Sequence, residues 1–217
     1  MASTPPAPFE LATAATLYSV HPLVGCIDGF VDDDALDEIE AALAHRTLEP
    51  ARVARLDGHA VDEKRVATQS KIPHDSLPPI DAVTEKVGAL FRLKPSLCEY
   101  PEFIRYEQGG EYKLHFDSAL GGTMTGQGSD PAIHSQRILT AILYLNDDFE
   151  GGATSFPRLD VNLTPKRGTL AFWQNTKHGS AKVHHLSMHQ GCPVTKGVKR
   201  IVSFWFRDRP WTAQSDL

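Results

Sequence analysis

Two patterns of apolar and polar residues divide this chain into a first part predicted to be helical and a later part predicted to be strand-rich. Over residues 32–46, apolar side chains recur at helical spacing, and the three aspartates at the start suit the positive end of a helix. A second helix is predicted over residues 79–91, because a proline suits its first turn and the apolar residues again share one side.

After residue 98 the apolar runs become short and are separated by Gly, Pro, Asn and Asp, which is typical of strands joined by turns. The predicted strands cover residues 99–106, 111–117, 137–146, 153–156, 160–163, 168–174, 180–188 and 199–207. Because no helices alternate with these strands, the pattern indicates a jelly-roll barrel or sandwich and not a doubly wound parallel sheet. The glycine-rich segment 118–136 is predicted to be a long loop within the sheet.

The predicted fold class is therefore mainly β with flanking helices (α+β), in one domain. Residues 1–25, which are rich in Pro, Ala and Thr, are predicted to form a flexible leader. Residues 26–217 are predicted to form the domain, with a helical N-terminal part over 26–98 and a β core over 99–210.

Composition and charge narrow the possible functions. The chain has 217 residues, with 22 Lys and Arg against 27 Asp and Glu, and this acidic balance argues against nucleic acid as a partner. It has no apolar run of the ~20 residues that a membrane span needs and no basic N-terminal region typical of a secretory signal. Three cysteines are too few for a disulfide framework, so we expect a cytoplasmic protein.

A metal site is indicated by histidines and one aspartate. His115 and Asp117 stand two residues apart on a predicted strand, so their side chains should point to the same face. A third ligand could come from the histidine-rich stretch, which offers four candidates: His178, His184, His185 and His189. Two histidines and one carboxylate are the ligand set associated with non-haem Fe(II) oxygenases.

The last predicted strand places a lysine on an interior face. Alternation puts Lys199 on the same side as Ile201, Ser203 and Trp205. A lysine inside a small barrel is costly unless it meets an anion. The alternative is that Lys199 lies at the barrel mouth and extends its ammonium group to water.

Five collinear motifs give these residues a context. They are residues 105–117 (RYEQGGEYKLHFD), 144–147 (YLND), 151–157 (GGATSFP), 165–168 (PKRG) and 189–199 (HQGCPVTKGVK). In order and spacing they resemble the prolyl 4-hydroxylase family of Fe(II)/2-oxoglutarate-dependent dioxygenases, over about half of the chain. The family commonly has an aromatic residue where this chain has Arg200.

The resemblance implies a double-stranded β-helix (jelly roll) whose metal ligands, and catalytic residues, are His115, Asp117 and His189. It also implies that Lys199 pairs with the distal carboxylate of 2-oxoglutarate. The further residues expected at the co-substrate or pocket wall are Tyr144, Tyr106, Tyr112, Thr140 and Trp205. Arg137 is a candidate substrate contact, and the alternative for Arg137 is a solvated charge at the end of a strand.

The function implied is an Fe(II)- and 2-oxoglutarate-dependent hydroxylase that uses O2, with ascorbate expected as a supporting reductant. The expected substrate is a prolyl residue in a peptide or protein, and succinate and CO2 are the expected co-products. Hydroxylation of a free amino acid or a natural-product small molecule is the first alternative. A cupin-like metal-binding or sensor protein is a more distant one. The sequence leaves the oligomeric state open and indicates no membrane partner.

Overall fold

The computed structural model describes residues 14–55, 58–61, 64–120 and 135–210. Its helices are α1 (Asp33–Leu43) and α2 (Pro78–Phe91). The strands of the first half are β1 (Thr16–Val20), β2 (Leu23–Ile27), β3 (Glu49–Pro50), β4 (Arg52–Arg55), β5 (Gly58–Val61), β6 (Arg65–Val66), β7 (Thr68–Lys71), β8 (Glu102–Tyr106) and β9 (Glu111–His115). Those of the second half are β10 (Arg137–Tyr144), β11 (Glu150–Gly151), β12 (Thr154–Phe156), β13 (Val161–Leu163), β14 (Leu170–Gln174), β15 (His189–Gly191), β16 (Val194–Lys196) and β17 (Lys199–Arg207).

Both helices begin where the sequence predicts, within one residue. The Asp32 carboxylate accepts the Ala35 N–H at 2.9 Å and so caps α1. Two prolines occupy the first turn of α2, where a missing N–H costs nothing. This helix ends at Phe91, and its cap residue Arg92 has a left-handed φ of 55°, which lets the Leu93 N–H reach the Gly88 carbonyl at 2.8 Å. Neither helix is long and apolar enough to cross a membrane, and no other helix that could do so lies within the described ranges.

Two antiparallel sheets dominate the structure. The main sheet has eight strands in the order β1-β2-β14-β10-β17-β8-β7-β3, and the smaller sheet has five in the order β13-β12-β15-β9-β6. The pairs β11–β16 and β4–β5 form separate ribbons. Strand β17 lies near the middle of the main sheet, where it pairs with β10 along one edge and with β8 along the other.

Strand β17 separates two apolar cores. Val202, Phe204 and Phe206 face the helices and pack in a core with residues of α1 and α2. Ile201 and Trp205 face the smaller sheet and pack in the second core. This alternation is the one that the sequence predicts for the strand. Arg200 points toward the helices, where its Nε bonds Glu40 of α1 at 2.9 Å, so the departure from the family motif lies away from the second core.

The N-terminal part differs from the prediction. The expected flexible leader over residues 1–25 includes β1 and most of β2, and β2 pairs with β14 across about 145 residues of sequence. Local composition cannot reveal so distant a pairing. Between the helices the chain forms strands β3 to β7, so the part over 26–98 is not purely helical. Residues 1–13 of the leader and 121–134 of the predicted loop lie outside the described residues.

Residues 180–188 are not the strand that their composition suggests. They contain an isolated bridge at Val183 and a 3-10 turn, His185–Ser187. The turn forms because the Ser187 N–H and hydroxyl both donate to the His184 carbonyl. This carbonyl therefore has its hydrogen bonds within the turn and not to a neighbouring strand.

The first testable prediction concerns the loop before β14. Gly168 has a φ of +77°, and a Cβ there would lie 2.5 Å from the Val31 carbonyl oxygen. We expect Gly168→Ala to lower the free energy of unfolding by about 3 kcal/mol, from backbone strain together with this collision. Gly29, with a φ of +60° and no atom within 4 Å of such a Cβ, is the matched control. Gly29→Ala should cost about 1 kcal/mol, and equal losses in urea titrations would contradict the predicted collision.

Candidate metal centre

Pairing of two strands brings the predicted metal ligands together. His115 ends β9 and His189 begins β15, and these two residues are direct partners in the antiparallel ladder. Asp117 follows two residues after the end of β9. The ligand atoms of these three side chains all lie within 4.8 Å of one another.

Each imidazole ring is oriented by a backbone carbonyl. His115 Nδ1 lies 2.8 Å from the Lys113 carbonyl oxygen, and His189 Nδ1 lies 2.9 Å from that of Ser187. Because a carbonyl only accepts hydrogen bonds, the proton of each ring must be on Nδ1. Both Nε2 atoms therefore present lone pairs toward the shared space, as metal coordination requires.

The Asp117 carboxylate completes the group. Its Oδ1 lies 3.5 Å from His115 Nε2, and its Oδ2 lies 3.5 Å from His189 Nε2. Burial alone would raise the pKa of Asp117, but the two neighbouring histidines outweigh burial and hold this pKa well below its usual range. Burial also lowers the pKa of His189 to about 4, so its ring is neutral at neutral pH.

The donor set fits a divalent transition metal. Two neutral imidazole nitrogens and an ionised carboxylate oxygen are the ligands of non-haem Fe(II) centres. Aromatic side chains hold the rings in place: Tyr112 stacks on His115 with centroids 3.5 Å apart, and Trp173 packs against His189 at 4.6 Å. Of the four histidines that could supply the third ligand, only His189 belongs to the group found within the described ranges.

A buried lysine lies in the same cavity. Lys199 is 3% exposed, which excludes the alternative in which its ammonium group reaches water. Its Nζ donates to the Gly152 carbonyl at 2.6 Å, and no carboxylate pairs with it in the described part of the chain. Burial lowers the pKa of Lys199 to about 8. An anion that enters the cavity would compensate this charge.

Most of the other predicted pocket residues line the cavity, but Tyr144 and Arg137 do not. The predicted residues in its wall are Tyr106, Tyr112, Thr140 and Trp205, together with the metal ligands and Lys199. Thr140 contacts a predicted metal ligand directly, since its hydroxyl donates to Asp117 Oδ2 at 2.7 Å. Tyr144 lies behind the wall, where its hydroxyl bonds Thr154 Oγ1 at 2.9 Å and its ring centroid is 5.4 Å from Lys199 Nζ.

Arg137 is not a solvated strand-end charge. Its guanidinium makes two bonds of 2.6 Å to the Glu99 carboxylate and lies over the Trp205 ring at 4.3 Å. Arg207 bonds the same carboxylate at 2.7 Å. Burial opposes ionisation of Glu99, but the two arginines prevail and lower its pKa. Two cations share one anion here, so the group carries a net positive charge beside Trp205.

Sequence reasoning missed several residues of the cavity wall, among them Thr154 and Arg65. Thr154 lies within the 151–157 motif, on β12, where it is one of two hydroxyl residues, the other being Ser155. Arg65 belongs to β6, in a region whose sequence gave no element prediction. Its guanidinium lies 3.5 Å from Glu102 and 5.0 Å from the centroid of the Tyr112 ring, contacts that arise from strand pairing and leave no local signal.

Comparison with known protein families gives one matching description. A profile described as the 2OG-Fe(II) oxygenase superfamily matches residues 101–207, about half of the chain. This range includes all three clustered ligands and Lys199.

Among individual proteins, the chain is similar to several prolyl 4-hydroxylase subunits. The prolyl 4-hydroxylase subunit alpha-2 of Gallus gallus is 27% identical over 186 residues, covering 82% of this chain and 33% of that protein. The human subunit alpha-1 is 30% identical over 137 residues, covering 61% and 24%. The chain spans between a quarter and a little over half of the length of the curated relatives it matches.

A solved structure is also similar. The viral collagen prolyl hydroxylase of Paramecium bursaria Chlorella virus-1, determined as its 2OG complex, has a TM-score of 0.67 and 26% identity. The match covers 85% of this chain and 95% of the viral one.

The geometry predicts which histidine binds metal. His189→Ala should weaken Mn(II) affinity at least about 100-fold, because it removes one of three ligands. His185→Ala is the matched control, since His185 lies in the same stretch but outside the cluster, and its affinity should stay within about twofold of wild type. Calorimetric titration of the metal-free protein measures both. A larger loss in His185→Ala than in His189→Ala would contradict the assignment.

Proposed function

The chain belongs to the 2OG-Fe(II) oxygenase superfamily, and on this basis we propose that it is an Fe(II)- and 2-oxoglutarate-dependent hydroxylase of prolyl residues. The observation that carries the proposal is one cavity that contains both a His115–Asp117–His189 cluster and the buried, carboxylate-free ammonium of Lys199. A metal-binding protein of the cupin type has no use for the second feature. A co-substrate that is both a metal chelator and a dianion uses both.

Each residue has a distinct role in this proposal. His115, Asp117 and His189 hold Fe(II), which supplies the activation of O2 and the oxidative decarboxylation of 2-oxoglutarate to succinate and CO2. Lys199 binds the distal carboxylate of 2-oxoglutarate, and the neighbouring Tyr106 and Thr154 narrow that end of the cavity. Tyr144 supports this end from behind through its bond to Thr154.

The opposite side of the cavity suits a substrate with an apolar ring and a polar backbone. Tyr112 and Trp205 offer aromatic surface in the cavity wall. Arg137 lies over the Trp205 ring and not in the wall, and Nη1 is its remaining donor group, since Nε and Nη2 bond Glu99. A pyrrolidine ring can pack on the aromatic side chains while the guanidinium binds a peptide carbonyl. The names of the relatives support the same substrate class, a prolyl residue in a peptide or protein.

The wider assignments follow the same proposal. The two facing sheets form the double-stranded β-helix, with α1 and α2 supporting it from outside, in a single domain. All three cysteines are free thiols, which supports a reducing compartment such as the cytoplasm. Ascorbate is the proposed supporting reductant.

The substrate class can be tested directly. With Fe(II), O2 and 2-oxoglutarate, a proline-containing peptide should gain 16 Da in step with succinate release, while the matched Pro→Ala peptide and the Asp117→Ala enzyme should give neither. The peptide is detected by mass spectrometry, and free amino acids form a parallel arm.

Each result has a clear reading. Succinate release coupled only to a free amino acid would replace the peptide proposal with a small-molecule hydroxylase. Under nitrogen, Fe(II) and 2-oxoglutarate together should also give a visible absorption band that neither gives alone. Absence of this band in folded wild-type protein would leave a metal-binding barrel without the proposed co-substrate.

Lys199 makes co-substrate binding depend on pH. Its pKa of about 8 in the free protein should rise when the distal carboxylate binds, because the complex stabilises the ammonium form. Affinity for 2-oxoglutarate should therefore be constant below pH 8 and fall by up to about tenfold per pH unit above it.

Calorimetry of the Mn(II)-loaded protein from pH 7 to 9.5 measures this dependence. Lys199→Arg is the matched control, since a guanidinium keeps its charge throughout this range and its affinity should not change with pH. A flat wild-type profile to pH 9.5 would contradict the assignment of Lys199.

A further inference from the structure

A buried asparagine lies behind the metal ligands. Asn175 directly follows β14 and is 1% exposed. Its Nδ2 lies 2.7 Å from Thr140 Oγ1, and this hydroxyl oxygen lies 2.7 Å from Asp117 Oδ2. The three side chains thus form a short chain of hydrogen bonds that ends on a metal ligand.

The direction of each bond in this chain is fixed by chemistry. The Asp117 carboxylate is ionised and can only accept, so the single hydrogen of the Thr140 hydroxyl must point to it. The hydroxyl oxygen is then left with lone pairs only, and its other partner must donate. Asn175 consequently turns its NH2 group, and not its carbonyl, toward Thr140, and the hydroxyl hydrogen cannot turn away from Asp117.

The backbone of Asn175 is anchored on both sides of the site. Its N–H donates to the carbonyl of Ile138 in β10, the strand that carries Thr140. Its carbonyl accepts the N–H of His184 at 2.9 Å, in the segment that leads to His189. The amide therefore has a fixed position relative to the strand that carries Thr140 and to the segment that leads to His189.

We propose that Asn175 is a positioning residue that fixes the Thr140 hydroxyl on Asp117 and so holds this carboxylate in the orientation that binds metal. The inference rests on the metal site of the proposed function. Partners of metal ligands at this distance commonly change affinity by about 10- to 100-fold when they are removed. Asn175 acts only through Thr140, and this sets it apart from a residue that merely fills space.

A double-mutant cycle on Mn(II) affinity tests the proposal. The variants are Thr140→Val, which removes the hydroxyl, Thr140→Ser, which keeps it, Asn175→Ala, Asn175→Leu, and the combination of each Asn175 change with Thr140→Val. Leu keeps the side-chain volume in case the smaller residue does not fold. Calorimetry gives the affinity, and melting with and without Mn(II) separates loss of metal binding from loss of fold.

The expected results follow from the order of the hydrogen bonds, from Asn175 through Thr140 to Asp117. Thr140→Val should weaken Mn(II) binding about 10- to 100-fold, and Thr140→Ser should stay within about threefold of wild type. Each Asn175 variant that folds should weaken it about 3- to 10-fold and lose part of the metal-induced rise in melting temperature. In the Thr140→Val background the same Asn175 change should have no further effect on affinity, because its only route to the metal is already absent.

Two outcomes would overturn the inference. One is an Asn175 variant whose Mn(II) affinity lies within twofold of wild type while Thr140→Val is impaired. The other is an additive effect of the Asn175 and Thr140 changes. Failure of the proposed function looks different, because the wild-type protein would then not bind Mn(II) at this site at all.

Discussion

The rest of this structure depends on one constraint, the burial of two opposite charges, Asp117 and Lys199, that do not pair with each other. Asp117 and Lys199 carry opposite charges in one cavity, yet the carboxylate faces two histidines and the ammonium group faces a backbone carbonyl. Both groups are costly to bury in a medium of low dielectric constant. The surrounding fold must supply enough apolar burial to tolerate them, and a bound metal and anion would relieve the cost.

The architecture meets this constraint by dividing its tasks between the two faces of the main sheet. The face toward the helices is lined mainly by apolar side chains, apart from groups such as Arg200, which bonds Glu40, and it contributes to stability. The face toward the smaller sheet carries the polar groups, and aromatic side chains such as Trp173 and Phe156 surround them. Strand β17 shows the division within nine residues, because its alternate side chains serve the two purposes in turn.

Local signals in the sequence predict the parts of the fold that depend on local interactions. Helix α1 follows from its capping aspartate and α2 from the prolines of its first turn, and both follow from apolar spacing. The two faces of β17 follow from alternation. The proximity of His115 and Asp117, the proposed ligand pair, follows from spacing as well. The choice of His189 as the third ligand required the resemblance, because three other histidines lie in the same stretch of sequence. In the structure, the pairing of β15 with β9 distinguishes His189 from them. The roles of Glu99, Arg65 and Asn175 depend on contacts between distant segments, which no local pattern encodes.

The position of the first hairpin has a practical consequence for anyone who shortens this protein for expression or crystallisation. A start at residue 26 is attractive from composition, but it would remove β1 and cut β2 near its end. The edge of β14 would then lose the partner with which Trp173 and its neighbours are in register. Since Trp173 packs against His189, trimming what resembles a dispensable tail would loosen a wall of the metal centre.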